Sequence, residues 1–392
     1  MNEKIIFSAI ALLIAVILGI YFITNLETQT YKNIWSKSFG EDNNDEGYFV
    51  MSTDDKGCIA LGYTIQNQTH NLDIYVVKID KNGNKEWEKT YGGDGYDYGK
   101  SIIKTEEGYV IVGFSNSTKS VEYDYDIYLL KIDENGNKEW EKTYGDNGVE
   151  EGNSILQTDE GNYIITGSTG SYGNPEGDLW LLEVKNDGEI VLNQTYGGTG
   201  LDEGRCIIQA NDGYLIAGKT KSYSENYAAW ILKTSKTGEQ IWNYTYESGN
   251  NNLFNNLIQT DDGFIMVGHA LEKNENDEDK WNGYIVKTDK KGIEQWARIL
   301  KEGKDTGISC VEETDDGYIL LGYIGKYGED DLLIEKIDKY GNRVWMETIG
   351  GNYSDGGVWI DRGIKDNYFV TGYTDLKGTG FTDLWIMRLL IN

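Results

Sequence analysis

Residues 78–93 read KIDKNGNKEWEKTYGG, and residues 131–146 repeat this phrase almost unchanged as KIDENGNKEWEKTYGD. Looser copies of the same phrase follow along the chain. When the copies are aligned on their tryptophan, they recur every 49 to 54 residues, and the aligned positions are Trp35, Trp87, Trp140, Leu192, Trp242, Trp296 and Trp345. Self-similarity at a period near 50 residues is typical of folds that are built from repeated small sheets.

Within one repeat, the sequence predicts four short strands separated by turns. In the second repeat the strands read YGKSIIKT, YVIVGFS, DIYLLKID and KEWEKTYG, and each is rich in β-branched and aromatic residues. Two acidic residues and a glycine form the first turn, at residues 106–108, while Gly136 offers the positive φ that the last hairpin needs. The sequence therefore predicts an all-β fold, a seven-bladed β-propeller of four-stranded antiparallel blades.

The phase of the repeat predicts how the ring closes. The propeller should occupy residues 31–392, because the chain opens with NIWSKSFG, which matches a fourth strand, and ends with FTDLWIMRLLIN, which matches a third. We expect the N-terminal strand to complete the last blade, so that no sheet edge stays open. The recurring tryptophan is interpreted as a core residue wedged between neighbouring blades, and not as a ligand platform.

The N-terminal segment predicts a membrane anchor. Residues 5–23, IIFSAIALLIAVILGIYFI, carry no charge, and as a helix they would span about 28 Å, close to the hydrocarbon thickness of a bilayer. The run ends in bulky residues without a small-residue cleavage pattern, which favours an uncleaved signal anchor. We expect a cytoplasmic tip at residues 1–4, a transmembrane helix at 5–23, a linker at 24–30, and an extracellular propeller at the surface of the cell membrane.

The composition excludes several classes of function. A formal net charge of -29 disfavours nucleic acid and anionic lipid head groups, and it leaves cationic partners, metal ions and neutral glycans. Two histidines and the absence of a CxxC pattern argue against zinc chemistry. The three isolated cysteines, Cys58, Cys206 and Cys310, suit buried side chains better than a disulfide framework.

Acidic residues recur where the innermost strand of most blades is predicted to begin. We expect these carboxylates to ring the mouth of the central channel, on the face away from the membrane, where they would concentrate cations and could hold calcium. The candidate metal ligands are Asp45, Asp97, Glu150, Asp202 and Asp355. In the alternative interpretation, these carboxylates accept backbone amide protons in turns beside glycines and have a structural role only.

The repeat pattern breaks in the fourth and fifth blades, where an acid that recurs before the third strand is replaced by Ala228 and Asn282. A long charged loop in the fifth blade, LEKNENDEDKW, ends in a tryptophan. Aromatic rings among polar loops could stack on a sugar or on a side chain of a partner. The candidate binding residues are Trp281, Tyr223, Tyr227 and His269. The alternative is sequence drift in loops that are free of packing constraints.

The segments KIDKNGNKEW, KIDENGNKEW, KTSKTGEQIW, KTDKKGIEQW and KIDKYGNRVW resemble the tryptophan-docked blades of quinoprotein-like propellers. Together with strands such as DGYLIAGKT, the chain also looks like the uncharacterised surface propellers of archaea and bacteria. The resemblance covers residues 31–392 and implies the fold. Quinone chemistry is not carried over, because the family has eight blades and vicinal cysteines, whereas this chain has seven repeats and no adjacent cysteines.

The sequence thus predicts a membrane-anchored, surface-displayed propeller that acts as a binding scaffold for a protein or a glycan, and an enzyme is not expected. No cofactor is expected apart from calcium, which the acidic ring leaves open. The alternative function is a hydrolase or lyase that uses the carboxylates at the channel mouth, with or without calcium.

Overall fold

The computed structural model describes residues 30–391, except for 41–42, 67–70, 118, 120–123, 211, 274–277, 327 and 376–377. The predicted membrane anchor at residues 5–23 lies outside the described residues, as do the tip at 1–4 and the linker up to residue 29. In the part of the chain that is described, no helix has the length and apolar character needed to cross a bilayer.

The described residues form seven antiparallel sheets of four strands each, which confirms the predicted all-β, seven-bladed propeller. Strand β1 (Tyr31–Phe39) comes first in the chain and belongs to blade 7. Blade 1 comprises β2 (Asp45–Ser52), β3 (Cys58–Ile65), β4 (Leu72–Ile79) and β5 (Lys85–Tyr91). Blade 2 comprises β6 (Asp97–Thr105), β7 (Gly108–Ser115), β8 (Asp126–Ile132) and β9 (Lys138–Tyr144). Blade 3 comprises β10 (Glu150–Gln157), β11 (Tyr163–Thr169), β12 (Asp178–Val184) and β13 (Ile190–Tyr196).

The remaining blades follow the same order, from the innermost strand outwards. Blade 4 comprises β14 (Asp202–Ala210), β15 (Gly213–Thr220), β16 (Ala228–Ser235) and β17 (Gln240–Tyr246). Blade 5 comprises β18 (Asn251–Gln259), β19 (Gly263–Lys273), β20 (Asp279–Asp289) and β21 (Glu294–Leu300). Blade 6 comprises β22 (Thr306–Glu313), β23 (Gly317–Ile324), β24 (Asp331–Asp338) and β25 (Arg343–Ile349). Blade 7 comprises β26 (Asp355–Arg362), β27 (Asn367–Thr374), β28 (Asp383–Ile391) and β1, which pairs antiparallel with β28.

The strand order gives the propeller two different faces. We call the face with the turns between first and second strands, and between third and fourth strands, the hairpin face. The opposite face carries the connections between second and third strands and the links between blades, and we call it the loop face. Each innermost strand begins at the loop face, whereas β1, an outermost strand, begins at the hairpin face.

The core lies between neighbouring blades. Strands β7 and β8, in the middle of blade 2, are buried at every residue, while the outermost strand β9 is mostly exposed. Each apolar cluster of the described residues joins two adjacent blades, as when Leu61 of blade 1 packs with Ile111 of blade 2. The described cysteines are buried and free, as predicted. Burial of apolar surface between sheets therefore holds the ring together.

The recurring tryptophan packs against a glycine of the next blade. The ring of Trp87 lies against the hairpin glycine Gly136, where an added methyl group would lie 2.9 Å from the ring. Trp87 Nε1 donates a hydrogen bond to Glu134 O at 3.2 Å, and Tyr91 Oη donates one to Gly136 O at 2.7 Å. The same contact recurs between Trp35 and Gly83, Leu192 and Gly238, Trp242 and Gly292, and Trp296 and Gly341. The recurring tryptophans are partly buried and pack against the apolar clusters between neighbouring blades, which agrees with the predicted position between blades.

The buried lysine of the KID motif forms an ion pair with an exposed carboxylate in the acidic turn of its own blade. Lys78 is 5% exposed, and its Nζ lies 2.6 Å from the carboxylate of Asp55. The equivalent pairs are Lys131 with Glu107, Lys233 with Asp212, Lys287 with Asp262, and Lys336 with Asp316. In blade 3 the lysine is replaced by Glu183, which accepts a hydrogen bond from Asn162 at 2.8 Å. The acidic turns therefore serve the fold.

Replacing Gly136 by alanine should destabilise the propeller more than replacing Gly161. Both glycines have positive φ, +75° and +82°, so both substitutions carry the strain of the left-handed region, about 1 kcal/mol. Only Gly136 has a ring in contact, whereas nothing lies within 4 Å of a methyl group at Gly161. We expect Gly136→Ala to cost roughly 1–3 kcal/mol more in the free energy of unfolding, measured by chemical denaturation.

A double variant provides the control for this comparison. In the Trp87→Ala background the ring is absent, so Gly136→Ala and Gly161→Ala should have similar effects on the free energy of unfolding. If the excess cost of Gly136→Ala persists without the ring, the contact between the indole and the glycine is not its cause.

Candidate functional site

Every innermost strand contains a β-bulge at the same place. Each innermost strand pairs with the second strand of its blade, and this pairing skips one residue. The skipped residue lies three positions after the recurring position that Asp97 occupies in blade 2. The skipped residues are Tyr48, Lys100, Asn153, Arg205, Asn255, Ser309 and Val358. They are half-buried, and Lys100 interacts electrostatically with Arg205, two blades away. Because a bulge re-aims a side chain, we assign these residues to the wall of the central channel.

A second layer of channel residues lies nearer the loop face. It consists of the residue after the recurring first position of each innermost strand, and of the residue opposite it on the second strand. These pairs are Glu46–Tyr63, Tyr98–Phe114, Glu151–Ser168, Glu203–Lys219, Leu253–His269, Gly307–Tyr323 and Gly356–Tyr373. We call this layer and the bulge residues together the channel mouth.

One side of the channel mouth is aromatic, from blade 5 through blades 6, 7 and 1 to blade 2. The rings of His269 and Tyr323 lie edge to face with centroids 5.7 Å apart. In blade 7 the ring of Tyr373 lies over Gly356, where an added methyl group would be 2.3 Å from the ring. Glycine therefore replaces a side chain where the opposite tyrosine covers the strand. Burial raises the pKa of Tyr323 to about 12, with Asp305 and Asp330 adding to the shift.

The other side of the mouth, in blades 3 and 4, is charged. The carboxylate of Glu203 lies 3.0 Å from Arg205 Nε and 2.9 Å from Lys219 Nζ. Burial raises the pKa of Glu203, but Arg205 and Lys219 lower it by more, so the net shift is downward. Arg205 Nη1 also donates to Asn255 Oδ1 at 2.9 Å, and Asn153 Nδ2 donates to Gly204 O at 2.9 Å. The charges on this side are thus largely compensated.

Lys100 connects the two sides. Its Nζ lies 4.4 Å from the centroid of the Tyr48 ring, 5.4 Å from that of Tyr98 and 5.5 Å from that of Phe114. Burial lowers the pKa of Lys100, and Glu151 partly opposes this shift. A cation over ring faces is attracted by their quadrupoles. The mouth therefore already holds one cation on aromatic rings.

The structure places His269 in the channel mouth, and it places Trp281 and Tyr227 at its border. His269 and Trp281 lie edge to face with centroids 6.0 Å apart. Burial, and then Arg205, lowers the pKa of His269 to about 4, so the ring is neutral at pH 7. Tyr227 borders the charged side, with Lys219 Nζ 5.0 Å from its ring centroid. Tyr223 lies elsewhere, because its ring packs on Trp230 with centroids 5.8 Å apart and its hydroxyl donates to Gly197 O.

The five carboxylates predicted as metal ligands lie inside the connections between blades. They are at most 3% exposed. Asp97 accepts hydrogen bonds from Gly93 N at 2.9 Å and Ser117 Oγ at 2.6 Å, and Glu150 accepts one from Ser171 N at 2.9 Å. These contacts match the structural alternative. Within the described ranges, no group of three or more His, Cys, Asp or Glu side chains is arranged to hold a metal ion. Calcium binding stays a prediction.

Sequence reasoning missed a half-buried carboxylate on the innermost strand of blade 6. Burial, and then the nearby Asp361, raises the pKa of Glu312 to about 8. Asp361 occupies the equivalent position in blade 7, and its Oδ2 accepts a hydrogen bond from Ser52 N at 2.7 Å. The equivalent residues of the other blades are apolar: Met51, Ile103, Leu156, Ile208 and Ile258. A charge at a position that is otherwise apolar is the signal that could have identified this pair.

The raised pKa of Glu312 predicts a pH dependence of stability. The folded state holds the proton of Glu312 up to about pH 8, whereas the unfolded state holds it only up to about pH 4.5. The contribution of this carboxyl group to the free energy of unfolding is therefore fully present below pH 4.5, and it is lost as the pH rises to about 8. We expect the wild type to lose more of its unfolding free energy than Glu312→Gln across this window. Denaturant unfolding at several pH values measures this, with Glu106→Gln as the exposed control. Equal pH slopes for the wild type and Glu312→Gln would contradict the assignment.

Comparison with known proteins supports the fold. No family model matches the sequence, and no curated protein matches it. Among solved structures, the WD40 domain of Neurospora crassa Pan2 is 9% identical, with 92% of this chain and 96% of that chain covered and a TM-score of 0.55. The periplasmic gluconolactonase PpgL of Pseudomonas aeruginosa is 9% identical, with 89% and 96% covered and a TM-score of 0.52.

A third similar structure is BBS1N in complex with ARL6DN, which is 11% identical, with 93% of this chain and 97% of that chain covered and a TM-score of 0.51. At these identities the likeness concerns the fold alone. The strand topology and these neighbours together define the class of the protein, a seven-bladed β-propeller. The likeness to quinoprotein-like propellers extends no further than this shared architecture.

Proposed function

We propose that this chain is a binding scaffold that engages a protein partner through its loop face and channel mouth. In this proposal, residues 5–23 anchor the propeller in the cell membrane, outside the cytoplasm, and β1 closes the ring. The scaffold itself performs no chemistry.

The observation that carries the proposal is the contrast between repeated and unrepeated positions. The residues that lock blade to blade recur around the ring, whereas all seven bulge residues except two asparagines differ in type. A partner without sevenfold symmetry needs contacts that differ from blade to blade. The fold supplies the frame, and the unrepeated side chains of the mouth supply the specificity.

The course of the chain supports the orientation. Strand β1 starts at the hairpin face at Tyr31, and a linker over residues 24–30 spans at most ~25 Å when extended. An anchor at residues 5–23 would therefore lie beneath the hairpin face. The loop face, with the channel mouth, would point away from the bilayer, where a partner can reach it.

The alternatives have weaker support. A glycan is the second ligand class that the sequence predicts, and the ring of Trp281 at the mouth is the feature that would bind it. The hydrolase or lyase alternative, with or without calcium, needs carboxylates that are free to react. Asp97 and its equivalents instead accept hydrogen bonds in the connections, so the geometry favours the scaffold. BBS1N in complex with ARL6DN is a similar fold with a bound partner.

Site-specific photocrosslinking tests the proposal. A benzoylphenylalanine at Tyr353, which is 45% exposed on the loop face, should crosslink the partner in cells that make the full-length chain. The matched control is Tyr340, which is 81% exposed on a turn of the hairpin face. We expect one specific adduct from Tyr353 and none from Tyr340, detected by mass spectrometry. A specific adduct from Tyr340 alone would contradict the proposed orientation of binding.

A further inference from the structure

The aromatic side of the mouth holds a cation in one half and lacks one in the other. In blades 1 and 2, Lys100 lies over the rings of Tyr48, Tyr98 and Phe114. In blades 5 to 7, the mouth presents the rings of Trp281, Tyr323 and Tyr373. Among the described residues, no lysine or arginine lies over these three rings.

Carboxylates accompany the rings of this second half. Asp330, only 2% exposed, accepts hydrogen bonds from Tyr373 Oη and from Ser354 Oγ, the latter at 2.5 Å. Asp305 Oδ1 accepts from Trp281 N at 3.2 Å. In the described ranges neither of them forms an ion pair. The sector therefore combines negative charge with ring faces, and it contains no cation of its own.

Glu46 of blade 1 completes this sector. Asp330 accepts a hydrogen bond from the hydroxyl of Tyr373, and the charges of Asp330 and Glu46 both raise the pKa of that hydroxyl. Burial raises the pKa of Glu46 and the charge of Asp330 adds to the shift, while hydrogen bonds from Tyr63 and Thr382 and the charge of Lys100 in the other half of the mouth oppose it. His269, beside Tyr323, is neutral at pH 7 because its pKa is about 4. A positive charge entering here would relieve the crowding of negative charge and meet no charged histidine.

We propose that this sector is a pocket for a lysine or arginine side chain from a basic segment of the partner. We call it the cation pocket, and it is formed by Glu46, Trp281, Asp305, Tyr323, Asp330 and Tyr373. The inference rests on the proposed scaffold function and adds the chemistry of the partner. A cation between carboxylates and ring faces gains both Coulomb and cation–π attraction. The net charge of -29 would steer a basic segment towards the propeller.

The pocket also argues against an acidic partner. An anionic group would meet Glu46, Asp305 and Asp330, and the long-range field of the protein would repel it. The compensated charges of Glu203, Arg205 and Lys219 on the opposite side offer little net attraction for an anion.

Titration with a defined peptide tests the cation pocket. The probe is a fluorescein-labelled ten-residue peptide of alternating lysine and serine, added to the full-length chain in detergent and followed by anisotropy. The site variant is Glu46→Gln with Asp305→Asn. The matched control is Glu106→Gln with Glu160→Gln, which removes the same charge from exposed turns of the hairpin face. We expect the site variant to weaken binding about tenfold or more, corresponding to about 1.4 kcal/mol, and the control to leave it nearly unchanged.

A second pair of variants separates a ring contact from a change in folding. Trp281→Phe keeps a ring and should retain most of the lysine-peptide affinity, whereas Trp281→Ala should lose it. Thermal unfolding of both variants confirms that they are folded. A peptide of alternating glutamate and serine should not bind. Equal weakening by the site and control variants would overturn the pocket, because steering by net charge would then explain the binding. Preferential binding of maltotriose at Trp281 would overturn it in favour of a sugar site.

The outcome is distinguishable from failure of the scaffold proposal. The crosslinking experiment with benzoylphenylalanine at Tyr353 is repeated in the chain that carries Glu46→Gln and Asp305→Asn. If the crosslinking yield is undiminished, the scaffold proposal is supported and the cation pocket is wrong. If that yield falls while the matched control variant keeps it, both proposals are supported.

Discussion

The contact between an outermost-strand side chain and a glycine of the next blade is the constraint on which this propeller depends. Sheets stacked around an axis must meet at a fixed spacing, and the indole of Trp87 over Gly136 sets that spacing for blades 1 and 2. Two features require glycine here: its φ is positive, and an added methyl group would lie 2.9 Å from the ring. Buried lysines such as Lys78 then tie the turns of each blade to its own sheet.

The recurring acids on the innermost strands also stabilise the fold. Asp97, Glu150 and Asp202 fasten the connections at the loop face by accepting hydrogen bonds from neighbouring turns. The same repetition that builds the ring leaves the bulge positions outside the repeated ladder pairing, because a skipped residue pairs with no neighbour on the second strand. Chemical variety therefore accumulates there, in residues as different as Lys100 and Val358.

The fold could be predicted from the sequence because the period, the turns and the tryptophans recur together. The site could be predicted only in part. His269 and Trp281 were found because they break the pattern, but Lys100 and Arg205 were not, since a bulge leaves no mark in a single strand's sequence. For the recurring acids the sequence left two interpretations open, metal ligands at the channel mouth or hydrogen-bond acceptors in turns. The spacing places a residue on a strand but does not give the direction of its side chain. The residues before Thr30 stay a matter of sequence prediction.

The claim that repeated positions build the ring while bulge positions face the channel can be tested within one strand. Asp97 and Lys100 lie three residues apart on β6, so chemical denaturation of Asp97→Ala and Lys100→Met compares the two kinds of position directly. The account predicts that Asp97→Ala lowers the free energy of unfolding by about 1–3 kcal/mol, because the Gly93 amide and the Ser117 hydroxyl lose their charged acceptor. Lys100→Met should leave the free energy of unfolding unchanged or raise it, since a partly desolvated charge is removed. Equal destabilisation by both substitutions would contradict the account.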